Sequence, residues 1–453
     1  MLSVINPATD EMIKQLVTDS AETIAQKVEQ ARLAQKSWFL TPLEERKAKV
    51  QKFRELLAEN MEDCAKATSL ETGRPFHQVC NEIRATDPRI GYFIDGIHEQ
   101  MKTETVYKDD ELEERVSWEP LGLVVNISAW NYPYFVGTNV FIPALLAGNA
   151  VLYKASEYAS LTGGKITELM NKAGFPKGVF TSIVGDGSIG KVLLDEKIDA
   201  VFFTGSHGTG QKINQGLAPK LVKVGMELGG KDPCYITEDV DVKSAAAAAA
   251  DGAFYNCGQS CCAVERIYVH EKVYDEFKTE FLEQVKGFKV GDPFDENTYL
   301  GPLTRKQQIE VLQDQINDAV KKGAVLELGG NEGEGKGSYF EPTVFTDVDH
   351  QMKLMRDESF GPIIGIQKVS SDQEAVDLMN DTDFGLTASV YCRDKERAVN
   401  MMYHLDAGTV YSNCCDRVSP HVPWSGRAAS GIGSTLGEVG IQAFLQPKSW
   451  QLK

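Results

Sequence analysis

Between residues 121 and 217 short apolar runs alternate with helix-forming stretches, and this alternation constrains the fold more than any other feature. Leu121–Ile127, Ala150–Lys154, Val179–Val184 and Ala200–Thr204 read as strands. Leu161–Ala173, Ile189–Asp195 and Gly210–Leu217 read as the helices between them. Strands this apolar need cover on both faces, and the intervening helices supply it, so the pattern predicts a parallel, doubly wound α/β sheet. A second alternating region, from Ser244 to Thr409, predicts a further sheet of the same kind. The first hundred residues read mostly as helix, with Ser20 as an N-cap and Pro42 opening a second helix. Two segments stand apart as candidate strands outside both cores: the charged stretch Lys102–Val116 and the tail Ile441–Lys453.

The chain has 453 residues, more than one ordinary core accommodates. Hydrophobic residues make up 42 %, enough to bury sizeable cores. A formal charge of −18 repels nucleic acid and anionic membrane, so neither is an expected partner. The N-terminus shows no secretory pattern, and no apolar run reaches the ~20 residues of a membrane helix. A cytoplasmic enzyme is the expectation. Nine cysteines, among them the adjacent pairs Cys261-Cys262 and Cys414-Cys415, do not form a disulfide framework and fit a reducing compartment.

Two glycine loops follow neighbouring strands. Gly185-Asp-Gly187-Ser-Ile-Gly190 matches G-x-G-x-x-G, yet the acid expected ~20 residues onward is absent. Read alone, it is as consistent with a tight strand–helix turn. Thr204-Gly205-Ser206-His207-Gly208-Thr209-Gly210 opens the next helix and offers backbone N–H groups to a phosphate. Together the two loops outline a crevice of the kind that holds a dinucleotide.

Three further residues carry chemistry. Cys261 follows Cys257-Gly258-Gln259-Ser260, a turn that lifts a thiol out of a core. A metal reading of Cys257, Cys261 and Cys262 lacks a matching set of partners, so no metal is expected. The seven histidines stand in no triad context. Glu227 lies among Val224, Met226 and Leu228, where burial raises a carboxylate towards a working base. Asn131, after the first strand, carries an amide N–H2 suited to an oxyanion, although taken singly it reads more readily as a turn residue than as a donor.

Taken in order, these motifs resemble the aldehyde dehydrogenase superfamily along essentially the whole chain. They include Ile5-Asn-Pro-Ala-Thr, Leu70-Glu-Thr-Gly-Arg, Trp130-Asn-Tyr-Pro, Phe203-Thr-Gly-Ser and Glu227-Leu-Gly-Gly-Lys. Gly258-Gln-Ser-Cys261, Glu358-Ser-Phe360-Gly-Pro, Phe384-Gly-Leu-Thr-Ala and Ser430-Gly-Ile-Gly follow. The resemblance implies NAD(P)-dependent oxidation of an aldehyde to an acid through a thiohemiacetal and a thioester on Cys261. Asn131 and the Cys261 N–H would form the oxyanion hole, and Glu227 would activate the hydrolytic water. That glutamate argues for the hydrolytic, non-acylating branch. Lys154 and Glu157 would hold the adenosine ribose. Ser206, with Gly205 and Gly210, would meet the pyrophosphate, with Gly187 near the adenine. Glu358 and Phe360 would hold the nicotinamide riboside. A carboxylate at Glu157 favours NAD, with NADP possible.

The resemblance also implies architecture. The expected parts are a cofactor domain (1–101 and 121–229), a catalytic domain (230–430), and bridging segments (102–120 and 431–453) that form a small β appendage. The assembly would be a homodimer or homotetramer. Tyr132, Val136, Asn139, Arg417, Val418 and Trp424 are expected to line the aldehyde pocket. Asn139 stands where succinate-semialdehyde enzymes often carry an arginine, which argues against that substrate unless Arg417 or Arg266 replaces it. A polar or medium-sized aldehyde is expected. The rival readings are a cysteine hydrolase or acyltransferase without redox chemistry, and a catalytically silent protein on the same fold.

Overall fold

Alternate residues of the central strands face opposite cores. Leu123, Val125 and Ile127 join Leu152, Val201 and Phe203 in one apolar cluster, whereas Val124 joins Val151, Tyr153 and Phe202 in another. That period of two with both faces buried is what a continuous apolar strand run implies. The computed structural model describes residues 1–453.

The first sheet runs in the order Gly431–Ile432, Lys223–Glu227, Ala200–Thr204, Leu123–Ile127, Ala150–Lys154, Phe180–Ile183. The last five strands are parallel. Leu123–Ile127 has the Ala150 strand on one side and the Ala200 strand on the other, so the winding reverses there. An open α/β sheet has its ligand crevice at such a switch, outside the carboxyl ends of the strands. The second sheet has the order Val325–Leu328, Thr343–Thr346, Ile363–Val369, Val264–His270, Asp232–Ile236, Thr387–Tyr391, Thr409–Ser412. All its pairs but the first are parallel. It carries its own core, built from Cys234 to Ala407. The chain is therefore α/β, with two Rossmann-like parallel sheets.

A third sheet stands outside both. Glu104–Lys108, Glu113–Pro120 and Leu445–Leu452 pair antiparallel, the middle strand half-buried and the two edges largely exposed. The expected bridging segment starting at 431 needs correction. Gly431 and Ile432 pair with Glu227 and Met226, extending the first sheet, and the Gly437–Gln442 helix packs on the Phe76–Gln100 helix. Only from Leu445 does the tail join the third sheet. The N-terminus also differs from a mostly helical reading, because Leu2–Asn6 and Glu11–Leu16 form a hairpin before the first helix, Ala21–Leu40. Both strands are mainly exposed, so they lack the apolar alternation that would mark them. No helix is long and apolar enough to cross a membrane.

Candidate active site

The loop that presents Cys261 is held in an uncommon backbone path. Asn256 and Cys257 have φ of 53° and 57°, and Gly258 follows at 66°. Non-glycine residues rarely adopt this left-handed region unless their surroundings enforce it. Here the Asn256 side chain donates to the carbonyls of Asn131 and Gln259, each at 3.3 Å. The Cys257 thiol donates to the Gly301 carbonyl at 3.0 Å, and the Gln259 carboxamide accepts from the Thr304 N–H at 3.0 Å. A Cβ on Gly258 would fall 2.4 Å from the Gly361 carbonyl oxygen, so a side chain there collides with backbone. Among the three neighbouring thiols, Cys257 and Cys262 are buried and Cys261 is partly exposed. Burial pushes the Cys257 thiol up to about 12, leaving it protonated and inert.

Asn131 lies across from this loop. Its Nδ2 donates to the Gln259 carbonyl at 3.0 Å, which fixes the amide beside the thiol. Arg74 holds the other end, donating to the Asn131 carbonyl at 3.3 Å, and its guanidinium lies 4.0 Å above the Tyr132 ring. Glu227 ends the Lys223–Glu227 strand, and burial raises its carboxyl to about 7. Thr435 donates a hydrogen bond to it, which works in the opposite direction by favouring the ionised form. A carboxyl poised there takes or gives a proton at neutral pH.

Cys261, Glu227 and Asn131 line one cavity of about 1270 Å³. It runs from the carboxyl ends of the first sheet to the Cys261 thiol and past it into the second domain. Lys154, Glu157, Gly187, Gly205, Ser206, Glu358 and Phe360 line its first part. Tyr132, Val136, Asn139, Val418 and Trp424 line its far part. Two expected residues are elsewhere. Gly210 is absent from the lining; it packs under Leu228, whose side chain would be 2.7 Å from an added Cβ, so it serves helix–strand contact. Arg417 does not line the cavity either; its carbonyl accepts from the Tyr411 hydroxyl at 2.8 Å. Arg266 is buried in the second sheet, bonded to the carbonyls of Lys231, Leu378 and Met379.

The family model for the aldehyde dehydrogenase family matches residues 1–450. The chain belongs to the aldehyde dehydrogenase family. Betaine aldehyde dehydrogenase (chloroplastic) of Beta vulgaris is 33% identical over 459 residues, covering 99% of this chain and 92% of the relative. Aminoaldehyde dehydrogenase 1 (peroxisomal) of Malus domestica is 34% identical, with 99% and 91% covered. A solved structure of 3,6-anhydro-L-galactose dehydrogenase in complex with NAP superposes with a TM-score of 0.96 at 33% identity, covering 100% of this chain and 96% of that one. Betaine aldehyde dehydrogenase from Staphylococcus aureus in complex with NAD+ gives a TM-score of 0.96 at 31% identity, with 99% and 91% covered. This aldehyde dehydrogenase is thus an NAD(P)-dependent oxidoreductase acting on aldehydes.

The aldehyde dehydrogenase cavity fits that cofactor on its own chemistry. Ser206 precedes the His207–Leu217 helix without capping it; its hydroxyl donates to Thr209 instead, at 3.0 Å. The first amides of that helix are left for an anion, and a pyrophosphate suits them. The G-x-G-x-x-G loop differs, because the Asp186 carboxylate caps the Gly187–Asp195 helix, accepting the Ser188 N–H at 2.9 Å. A carboxylate in that place repels phosphate. Lys154 is 3 % exposed and its ammonium donates only to the Ala155 carbonyl, at 3.4 Å, which leaves donors for ribose hydroxyls. Glu358 accepts the Gly230 N–H at 3.1 Å, and burial pushes its carboxyl up. Phe360 sits edge-on to Trp130, ring centroids 5.6 Å apart.

Arg89 and Asp416 line the cavity, Thr435 bonds to Glu227 from outside its lining, and none of the three stands in a motif of its own. Arg89, from the long Phe76–Gln100 helix, carries no motif around it. Thr435 lies far along the chain from Glu227. Asp416, with φ of 48°, turns its carboxylate onto the Cys262 thiol at 2.8 Å and the Ser260 hydroxyl at 3.3 Å.

Proposed function

We propose that Cys261 is the nucleophile, that Asn131 and the Cys261 N–H stabilise the oxyanion, and that Glu227 is the general base of a hydrolytic aldehyde dehydrogenase. The observation carrying this reading is that Cys261, Asn131 and Glu227 share one cavity with the free helix start at Ser206. The Cys261 thiolate attacks the aldehyde carbon, and the developing alkoxide is held by the Cys261 N–H and by the Asn131 amide, which the Gln259 carbonyl orients. Bound NAD(P), held by Lys154, Ser206 and Glu358, would supply the hydride acceptor that lets this adduct become a thioester on Cys261. Glu227 then removes a proton from water, the water attacks the thioester carbonyl, and the thiolate departs. Single-turnover kinetics of Glu227→Gln test the sequence: nicotinamide reduction followed by a stalled acyl-enzyme is expected.

Lys154 and Glu157 would hold the adenosine ribose, Gly205 and Ser206 the pyrophosphate, Gly187 the adenine side, and Glu358 and Phe360 the nicotinamide riboside. The Glu157 carboxylate supports a preference for NAD over NADP, since it repels a 2′-phosphate. The parts 1–101 with 121–229 would act as the cofactor domain and 230–430 as the catalytic one. The third sheet leaves Leu445–Leu452 as an exposed edge, and an edge of that kind supports pairing between subunits of a homodimer or homotetramer. A cytoplasmic setting rests on nine unpaired cysteines. The substrate would be a polar or medium-sized aldehyde, in line with far-chamber residues Tyr132, Asn139 and Trp424.

A further inference from the structure

The far chamber holds a buried guanidinium with no ionic contact. Arg89 lines the cavity and is 3 % exposed. One terminal nitrogen donates to the Asn139 carboxamide oxygen at 2.8 Å, the other to the Val418 carbonyl at 3.0 Å. The Phe135 ring supports the fork, 4.2 Å from its central carbon. Each terminal nitrogen has a second N–H beyond the one committed. No carboxylate closes the charge. Glu82 is taken by Arg74 at 2.6 Å and by the amides of Tyr134 and Phe135 at 2.8 and 3.0 Å. Glu227 acts on Arg89 through space, without a hydrogen bond to it. A charge this buried is costly without a counter-charge, and a planar fork fixed by two carbonyl-type acceptors is preorganised for a bidentate anion.

We propose that Arg89 is the substrate-selecting residue of this aldehyde dehydrogenase and receives the distal carboxylate of an ω-oxo acid. The inference rests on the aldehyde-oxidising reading of the same cavity. Asn139 then has a different part from the one its position suggests: it does not stand in for an arginine but orients one supplied by the neighbouring helix. Of the arginines the sequence offered for this task, Arg266 is bonded within the second sheet and Arg417 is exposed and outside the cavity lining. The opposing chemistry in the chamber is Asp416, a half-buried carboxylate whose donors are a thiol and a hydroxyl, which would favour a cationic aldehyde. Both hydrogen bonds to Asp416 fall on Oδ1, and burial pushes its carboxyl up to about 6, which weakens it as a counter-ion; Arg89 outweighs it because it keeps its charge at neutral pH and a free N–H on each terminal nitrogen.

The test compares succinic semialdehyde, glutaric semialdehyde, butanal and 4-aminobutanal on the purified wild-type enzyme, Arg89→Met and Arg89→Lys, reading nicotinamide reduction. The wild type is expected to favour a semialdehyde over butanal by about 10- to 100-fold in kcat/KM, through KM. Arg89→Met should bring that ratio near one, and Arg89→Lys should restore part of it. An unchanged ratio in Arg89→Met overturns the proposal, as does a wild-type preference for 4-aminobutanal or for butanal. The wild-type comparison stands even if a variant fails to fold. Absence of turnover with every aldehyde would instead count against the assignment of the cavity as the oxidising site.

Discussion

The Thr435 hydroxyl donates a hydrogen bond to the Glu227 carboxylate, joining the late Trp424–Leu436 segment to the proposed base. The same segment pairs Gly431 with Glu227 through the backbone. Base and supporting donor are therefore fixed by one short stretch of antiparallel pairing. A donor to the ionised form lowers the carboxyl's pKa, against the burial that raises it to about 7. Thr435→Val is expected to move the acidic limb of the kcat–pH profile upward by about one unit, the worth of one hydrogen bond to a charged group.

The acidic limb itself follows from the sign of the Glu227 shift. The base works ionised, and its pKa is raised to about 7 by burial. Below that pH the ionised fraction falls roughly tenfold per unit, so hydrolysis slows as acid is added and levels off above neutrality. In Glu227→Gln this limb should vanish from the residual steady-state rate, which drops by about 10²–10⁴-fold, while the nicotinamide-reduction burst persists.

Asn131 is held against the loop that carries Cys261 before any substrate arrives. Asn131→Ala is expected to lower kcat by about 10²–10³-fold, the range for one oxyanion donor, with little effect on NAD binding measured by fluorescence quenching.

The Arg74–Glu82 pair is buried, with 2 % and 0 % of its side-chain surfaces exposed, and Glu82 also accepts the first amides of the Pro133–Ala147 helix. Glu82→Ala leaves a buried guanidinium and two helix amides unmatched. A loss of about 3–5 kcal/mol in denaturant unfolding is expected, and Glu82→Gln should lose less because it keeps an acceptor.

Much of this was legible in the sequence, for physical reasons that vary by residue. The strands Ala150–Lys154 and Ala200–Thr204 occur where the apolar runs put them, because a doubly covered strand leaves no polar alternative. Cys261 and Glu227 stand in dense local motifs, and the cavity contains both. Arg89 and Thr435 were not legible, because each acts through a contact across the fold: Arg89 meets Val418, 329 positions away, and Thr435 meets Glu227, 208 away. Arg417 failed as a pocket residue for a related reason. Its neighbours Asp416 and Val418 line the cavity, and adjacency in a loop does not fix which side chain turns inward. Gly210 was read as a phosphate contact, whereas its missing side chain makes room for Leu228.

The central claim is that the thioester forms on Cys261 and is released by Glu227. The direct measurement is intact and peptide mass spectrometry of Glu227→Gln after mixing with NAD and an aldehyde substrate. The account predicts an acyl adduct on the peptide carrying Cys261, placed on Cys261 itself and absent from Cys261→Ala. Reduced nicotinamide without an adduct on that residue, or with the acyl group on Cys262 or Cys257, would contradict it.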